Sequence, residues 1–386
     1  MAKLANLREI EVADVLSALP DVELLDVARD VDHSEDELFL VALGFEDRCP
    51  WISELLGEAR KYKAAQAAYF EYATNQNDND LNRGRLVRAI SSFAGAVRPM
   101  SCDSVDYSAE LRTLLREITT KAPGAGVTVD VSACSSKLLV TTLTVLLEFD
   151  VNLRIVYAEA EVYHPTKEEY DADPDKWTRD EELGLARGVG AVTPSPDHPG
   201  SRQDILPEAV IVFPTFKPER ARAIIAHVDE SLVMRPQERV VWLVGAPHLP
   251  EDEWRAQVQR TINQIGSSTP AHEVSTFDYK KAVETLEMVY RPLECKYHVN
   301  IAPLGSKLQS VGVVVFWCIR PEASIVFASP REYNAAQYSE RCKAVWRIDF
   351  GCVSNLRGLL DTVGKLELRQ ELGAEPATSP VTPGDG

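Results

Sequence analysis

The stretch "VDVSACSSKLLVTTL", residues 129–143, joins two apolar runs through a cluster of small hydroxyl residues and one Lys. Its pattern is a strand turning into a helix, with Ser placed to cap the first free N–H groups. A helix start of this kind presents N–H donors and the positive end of a dipole, which suits an anion. It is also what an ordinary capped structural turn looks like, so the stretch alone does not choose.

A second copy exists. "VNIAPLGSKLQSVGVVV", residues 299–315, repeats the strand, the tight turn and the Ser-Lys-Leu opening of an apolar helix. Laid over each other without gaps at an offset of 170, residues 129–163 and 299–333 are identical at nine of 35 positions, among them Ser136/Ser306, Lys137/Lys307 and Ala158/Ala328. Ordinary residue frequencies give about two or three. Phe45 and Phe216 match at an offset of 171, and "VDY" (105–107) meets "FDY" (277–279) at 172. The chain is an internal duplication.

Working outward, each copy holds five strand-like runs separated by helical stretches. They are 37–45, 64–72, 98–107, 126–133 and 152–163, then 208–216, 239–247, 270–279, 297–304 and 322–333. Strands alternating with helices indicate βαβ units and a parallel sheet. The expected fold is α/β, with two tandem, pseudo-repeated, doubly wound (Rossmann-like) parallel-sheet domains behind a short helical N-terminal segment. The expected limits are 1–34 for that segment, 35–165 for repeat 1 and 166–206 for a connecting segment containing "TPSPDHPGSRQ". Repeat 2 follows at 207–335, a C-terminal extension at 336–370 and a disordered tail at 371–386, rich in Pro, Gly and small residues.

Composition limits the function. The 386 residues are 45% hydrophobic and 26% charged, enough to bury real cores. No run of 18 apolar residues exists, and acidic residues break the N-terminal stretch where a signal peptide needs an apolar centre. Seven cysteines without a CxxC pair suit reduced thiols, so a cytoplasmic protein without zinc or another metal and away from membranes is expected. The formal charge of −18 opposes nonspecific binding to long DNA or RNA. A small anion held by a few local donors remains compatible with it.

The candidate ligand-binding residues are Ser132, Ser135, Ser136 and Lys137 in the first copy and Gly305, Ser306 and Lys307 in the second, where hydroxyls and ammonium groups add charge-assisted donors. Neither copy is a P-loop, and no G-x-G-x-x-G occurs, so no cofactor is expected. "ALGFEDRCPWI" (42–52) adds Gly44 for a sharp turn and Arg48 as a phosphate clamp, and its counterpart (214–224) supplies Lys217 and Arg220. Glu46 and Asp47 either contact a sugar or base or only favour a helix start. Glu159 and Glu161, with Glu46 and Asp47, are the catalytic candidates; Glu159 and Glu161 serve as acid and base, hold a metal, or are salt-bridge groups that meet Arg residues of the other copy. Cys134 lies in the turn without a partner base. "ATNQNDNDLNRGRLVR" (73–88) reads as a polar loop near the ligand or in solvent.

A duplicated doubly wound domain with "SACSSK" and "APLGSK" facing a shared cleft resembles the Rossmann-like sensor domains called CARF and SAVED, over about residues 35–335. In those families paired domains bind oligonucleotide second messengers and switch an effector in antiviral defence. The resemblance implies a nucleotide-like or otherwise phosphorylated ligand between two pseudo-symmetric halves. It also implies a separate protein effector, because no nuclease, protease or winged-helix segment is recognisable. An enzyme acting on a nucleotide or phosphosugar through its Glu and Asp residues, or a structural subunit of a complex, is the alternative.

Overall fold

The computed structural model describes residues 15–26, 35–59, 61–104, 106–174, 186–201, 205–234, 237–334 and 338–361. The tail at 371–386, much of the N-terminal segment and the end of the C-terminal extension lie outside the described residues. After a short strand β1 (Glu23–Leu24), the first half runs β2 (Glu35–Leu43), α1 (Trp51–Ala59), β3 (Lys63–Glu71), α2 (Gln76–Ser91), β4 (Val97–Ser101), α3 (Tyr107–Lys121), β5 (Gly126–Asp130), α4 (Ser136–Leu146) and β6 (Asn152–Glu159). Then come β7 (Val162–Tyr163), α5 (Lys167–Ala172) and β8 (Ala186–Pro194).

The second half runs β9 (Glu208–Phe213), α6 (Pro218–Val228), α7 (Ser231–Met234), β10 (Val240–Ala246), α8 (Trp254–Ile262), β11 (Ala271–Ser275), α9 (Tyr279–Glu294), β12 (His298–Pro303), α10 (Lys307–Ile319) and β13 (Ser324–Tyr333). Two strands follow, β14 (Ser339–Glu340) and β15 (Ala344–Cys352), and then a helical stretch at 353–361.

Each of the ten expected runs contains a strand. The parallel strands order as β4-β3-β2-β5-β6 in one sheet and β11-β10-β9-β12-β13 in the other. Each is a doubly wound Rossmann-like order that reverses between the first and fourth strand of its half, where open α/β sheets bind ligands. The central strands are continuous apolar runs because helices cover both faces; in β2, every residue from Phe39 to Leu43 is buried.

The sheets are not purely parallel. β8, which follows the first half, pairs antiparallel with β13 of the second, and β15, which follows the second half, pairs antiparallel with β6 of the first. Each half therefore lends its partner an edge strand, drawn from the stretches 166–206 and 336–370. β1 extends the first sheet beyond β15. Next to it Val15, Leu16 and Leu19 are buried in the core, Tyr279 Oη donates to Pro20 O at 2.6 Å and Lys280 pairs with Asp21. The N-terminal segment thus bridges both halves.

Between the sheets α4 packs on α10. Leu138 to Leu146 of α4 and Leu308 to Phe316 of α10 are all buried, as expected of helices that are apolar all round. One hydrophobic core runs through this contact from one half into the other, and two further clusters lie beneath the outer helices. At its edge His198 bonds to Thr144 Oγ1 at 2.7 Å and to Ser195 Oγ at 2.7 Å and sits edge-on to Trp317.

Residues 73–88, expected as a loop, are largely the helix α2. Its buried face is Asn79, Asn82, Leu86 and Ile90, a helical spacing in which two Asn replace apolar residues. Asn82 Nδ2 donates to Gly44 O at 2.9 Å and to Glu46 O at 2.8 Å, which fixes the turn after β2.

With edge strands exchanged and one core shared, the halves are not separate folding units. Calorimetric unfolding of the full chain should show one cooperative transition; two resolved transitions, one per half, would contradict this arrangement.

Candidate ligand cleft

The turns after β2 and β5, and those after β9 and β12, open into one cleft with two chambers. The larger, about 300 Å³, lies over the second half, and the smaller, about 80 Å³, over the first. Arg220, Gly305, Lys307, Tyr333 and Tyr338 line both and form the seam. The rings of Phe45, Tyr333 and Tyr338 cluster there with centroids 5.4–5.7 Å apart. A glycine makes a close approach on both sides. A Cβ on Gly44 would stand 2.8 Å from Ala133 Cβ, and one on Gly305 would run into Gln309 Oε1.

The two copies carry an equivalent arginine with opposite fates. Arg48 Nη1 donates to Ala158 O and Arg220 Nη2 donates to Ala328 O, so each guanidinium ties the first turn of its half to the same alanine of the fifth strand. Arg48 is buried and spends its other donors on Glu46 Oε2, at 2.9 and 2.6 Å, while Glu46 also accepts from Ser339 Oγ. It is therefore neutralised and structurally engaged. Two residues before Arg220 stands Pro218 in place of a carboxylate. Arg220 has no ion pair among the described residues and faces both chambers.

The Ser-Lys turns diverge as well. The first helix is capped by Ser135, whose Oγ accepts from Leu138 N at 3.2 Å. The second is capped by Ser306, whose Oγ accepts from Gln309 N at 3.1 Å within a capping box. Relative to the ungapped offset of 170, the second cap lies one residue further on. The residue that follows the cap is Lys307 in one copy but Ser136 in the other, and Lys137 is turned about 100° around its helix. Lys307 lines both chambers and its Nζ has no hydrogen bond or ion pair among the described residues, whereas Lys137 is exposed and lines neither. Burial lowers the Lys307 pKa, with Glu46 acting against that shift.

Ser135 and Ser136 line the small chamber, but the Ser135 N–H is already bonded to Tyr72 Oη at 2.7 Å. Asn79 also lines it, and its buried Oδ1 has no partner. Ser132 is buried away from the cleft, donating to Asp130 and accepting from Ala158 N at 2.8 Å. Lys217 lines the large chamber, and burial lowers its pKa to about 8. Cys134 is buried and its thiol is pushed well above the ordinary range by that burial.

The acidic candidates separate. Asp47 is exposed and accepts from Arg341 N, and Glu161 forms an exposed ion pair with Arg341 at 2.8 Å. Glu159 is buried in the wall of the large chamber. Its Oε2 accepts from Trp346 Nε1 at 2.8 Å and its Oε1 lies 3.2 Å from His248 Nε2. The His248 ring stacks on Phe277 at 4.4 Å, and Phe277 meets Trp346 edge-on at 4.7 Å. His248, Phe277 and Tyr338 were not singled out by the sequence. His248 follows the second strand of its half, where the first copy carries a polar segment, and no motif marks it.

No family model and no curated protein matches this sequence. Among solved structures, a functionally unknown protein from Pseudomonas aeruginosa PAO1 is similar with a TM-score of 0.22 and 9% identity, covering 85% of this chain and 98% of that one. A candidate universal stress protein from P. aeruginosa UCBPP-PA14 gives a TM-score of 0.22 and 10% identity, covering 84% and 98%. At a TM-score of 0.22 neither bears on the function of this chain.

Beneath the small chamber, burial raises the Asp130 carboxyl from 3.8 to about 6, and its Oδ2 has no partner. A pKa raised on folding means that the folded state binds the proton more tightly. Stability is therefore lost as pH rises from about 4 to 6 and stays lost at neutral pH. Asp130→Asn, which places an amide where the second copy has Asn300, should stabilise the protein at pH 7 by about 1–3 kcal/mol. The gain should shrink at pH 4.5 in denaturant titrations; a variant less stable at pH 7 would contradict this.

Proposed function

We propose that this protein is a cytoplasmic binding module that captures a phosphorylated, nucleotide-type small molecule between its two Rossmann-like halves. The observation that carries the reading is the pair Arg220 and Lys307, two cations that have no carboxylate partner among the described residues and stand at the seam of a cleft. Desolvated cations without counterions are costly and gain most from a bound anion. Lys217 adds charge in the same chamber, and aromatic rings beside these groups suit a base. Seven free cysteines fit a reducing compartment.

Because both halves line the cleft, a ligand there bears on their contact, and in our reading that contact is what a separate effector protein senses. From the resemblance to CARF and SAVED domains we propose antiviral defence as the setting of such a sensor. In a thermal-shift panel of nucleoside mono- and diphosphates, the stabilising ligand should lose affinity about tenfold or more with Lys307→Ala, and likewise with Arg220→Ala, as expected for charge-assisted hydrogen bonds of about 1.5–3 kcal/mol. Stabilisation unchanged in both variants would contradict the reading.

One observation favours a second reading, a nucleotide or phosphosugar hydrolase. The Glu159–His248 pair at 3.2 Å, in the wall of the same chamber, is an arrangement that orients an imidazole as a general base. On that reading the panel is turned over and His248→Gln abolishes turnover while binding persists. A bound ligand recovered unchanged after long incubation would leave the binding module.

A further inference from the structure

The cleft is built from duplicated parts, yet its two sides offer a ligand different chemistry. On the first side the arginine is consumed by Glu46, the lysine is turned to solvent, and the chamber is about 80 Å³ and lined by polar residues such as Thr74, Asn75 and Asn79. On the second side the equivalent arginine has no carboxylate partner among the described residues and the lysine lines the cleft. Here the chamber is about 300 Å³, and the His248 ring is stacked on Phe277 and held by Glu159.

An aromatic slab pinned by a carboxylate is a preformed stacking surface, because the ring loses little freedom when a second ring is laid against it. The cations at the seam are Arg220 and Lys307; Lys217 lines the large chamber, and Arg48 and Arg255, which line it too, are paired with Glu46 and Asp252.

We infer that the ligand is asymmetric: one aromatic heterocycle occupies the large chamber beside His248 and Phe277, and one phosphate lies at the seam against Arg220 and Lys307, as in a mononucleotide and unlike a two-fold-symmetric dinucleotide. This rests on the reading of the cleft as a site for a phosphorylated ligand. A symmetric molecule would bring a second phosphate and a second base to the first side. That phosphate would meet the carboxylate of Glu46, which lines the small chamber, and that base would meet a chamber about a quarter of the volume.

The test is isothermal titration of the full chain with the four common nucleoside 5′-monophosphates, cyclic di-adenylate and inorganic phosphate. At least one monophosphate should bind one per chain and more tightly than inorganic phosphate. Its affinity should fall at least fivefold in His248→Ala and in Lys307→Ala and be unchanged in Lys137→Ala. Circular dichroism of each variant confirms that the fold persists. Cyclic di-adenylate binding more tightly than every monophosphate, with equal losses in Lys137→Ala and Lys307→Ala, would overturn the inference and leave the cleft a phosphorylated-ligand site. Monophosphates binding no more tightly than inorganic phosphate, with His248→Ala unchanged, would overturn the stacking half. Absence of binding by every probe would overturn the reading of the cleft itself, and the inference with it.

Discussion

The contact between α4 and α10 is the constraint on which the molecule depends. Both helices are largely apolar and buried from Leu138 to Leu146 and from Leu308 to Phe316, and each is partly covered by the other. Each helix also follows the fourth strand of its sheet. Packing them together therefore brings the carboxyl ends of both sheets to a common line, and the turns that end in Ser135 and Ser306 become neighbours across one cleft. The exchanged strands β8 and β15 close the arrangement, since each hides the open edge of the other half's sheet.

Within that near-symmetric frame the chemistry has diverged by small steps. A carboxylate two residues before an arginine silences it, and the loss of that carboxylate leaves its counterpart exposed to the cleft. A cap placed one residue later swings a lysine from solvent to the seam. The Glu46–Arg48 pair is buried, and breaking such a pair costs about 3–5 kcal/mol because the survivor is left uncompensated. The first half thus spends its charges on holding the turn after β2, while the second keeps Arg220 and Lys307 for a ligand.

The duplication and the ten parallel strands were legible because strands covered on both faces are continuous apolar runs, and because Ala158 and Ala328, whose carbonyls hold the two arginines, are among the matched positions. β8 and β15 were not legible. As edge strands they mix polar and apolar residues, and their partners lie in the other half. The helix α2 was hidden because Asn79 and Asn82 occupy its inward face. Lys137 and Lys307 looked equivalent because an ungapped comparison cannot show a one-residue shift in the cap. Glu46 and Arg48 were both visible as charges, but that they neutralise each other depends on the turn Asn82 holds in place. His248 and Glu159 come from different halves, and only the fold sets them 3.2 Å apart.

The most direct test of the account is a crystal structure of the protein soaked with whichever of the four common nucleoside 5′-monophosphates it binds most tightly. The account predicts phosphate density within hydrogen-bond distance of Arg220 and Lys307, with the heterocycle in the large chamber. Phosphate seated at Ser136 and Lys137 instead, or a cleft left empty at saturating nucleotide, would contradict it.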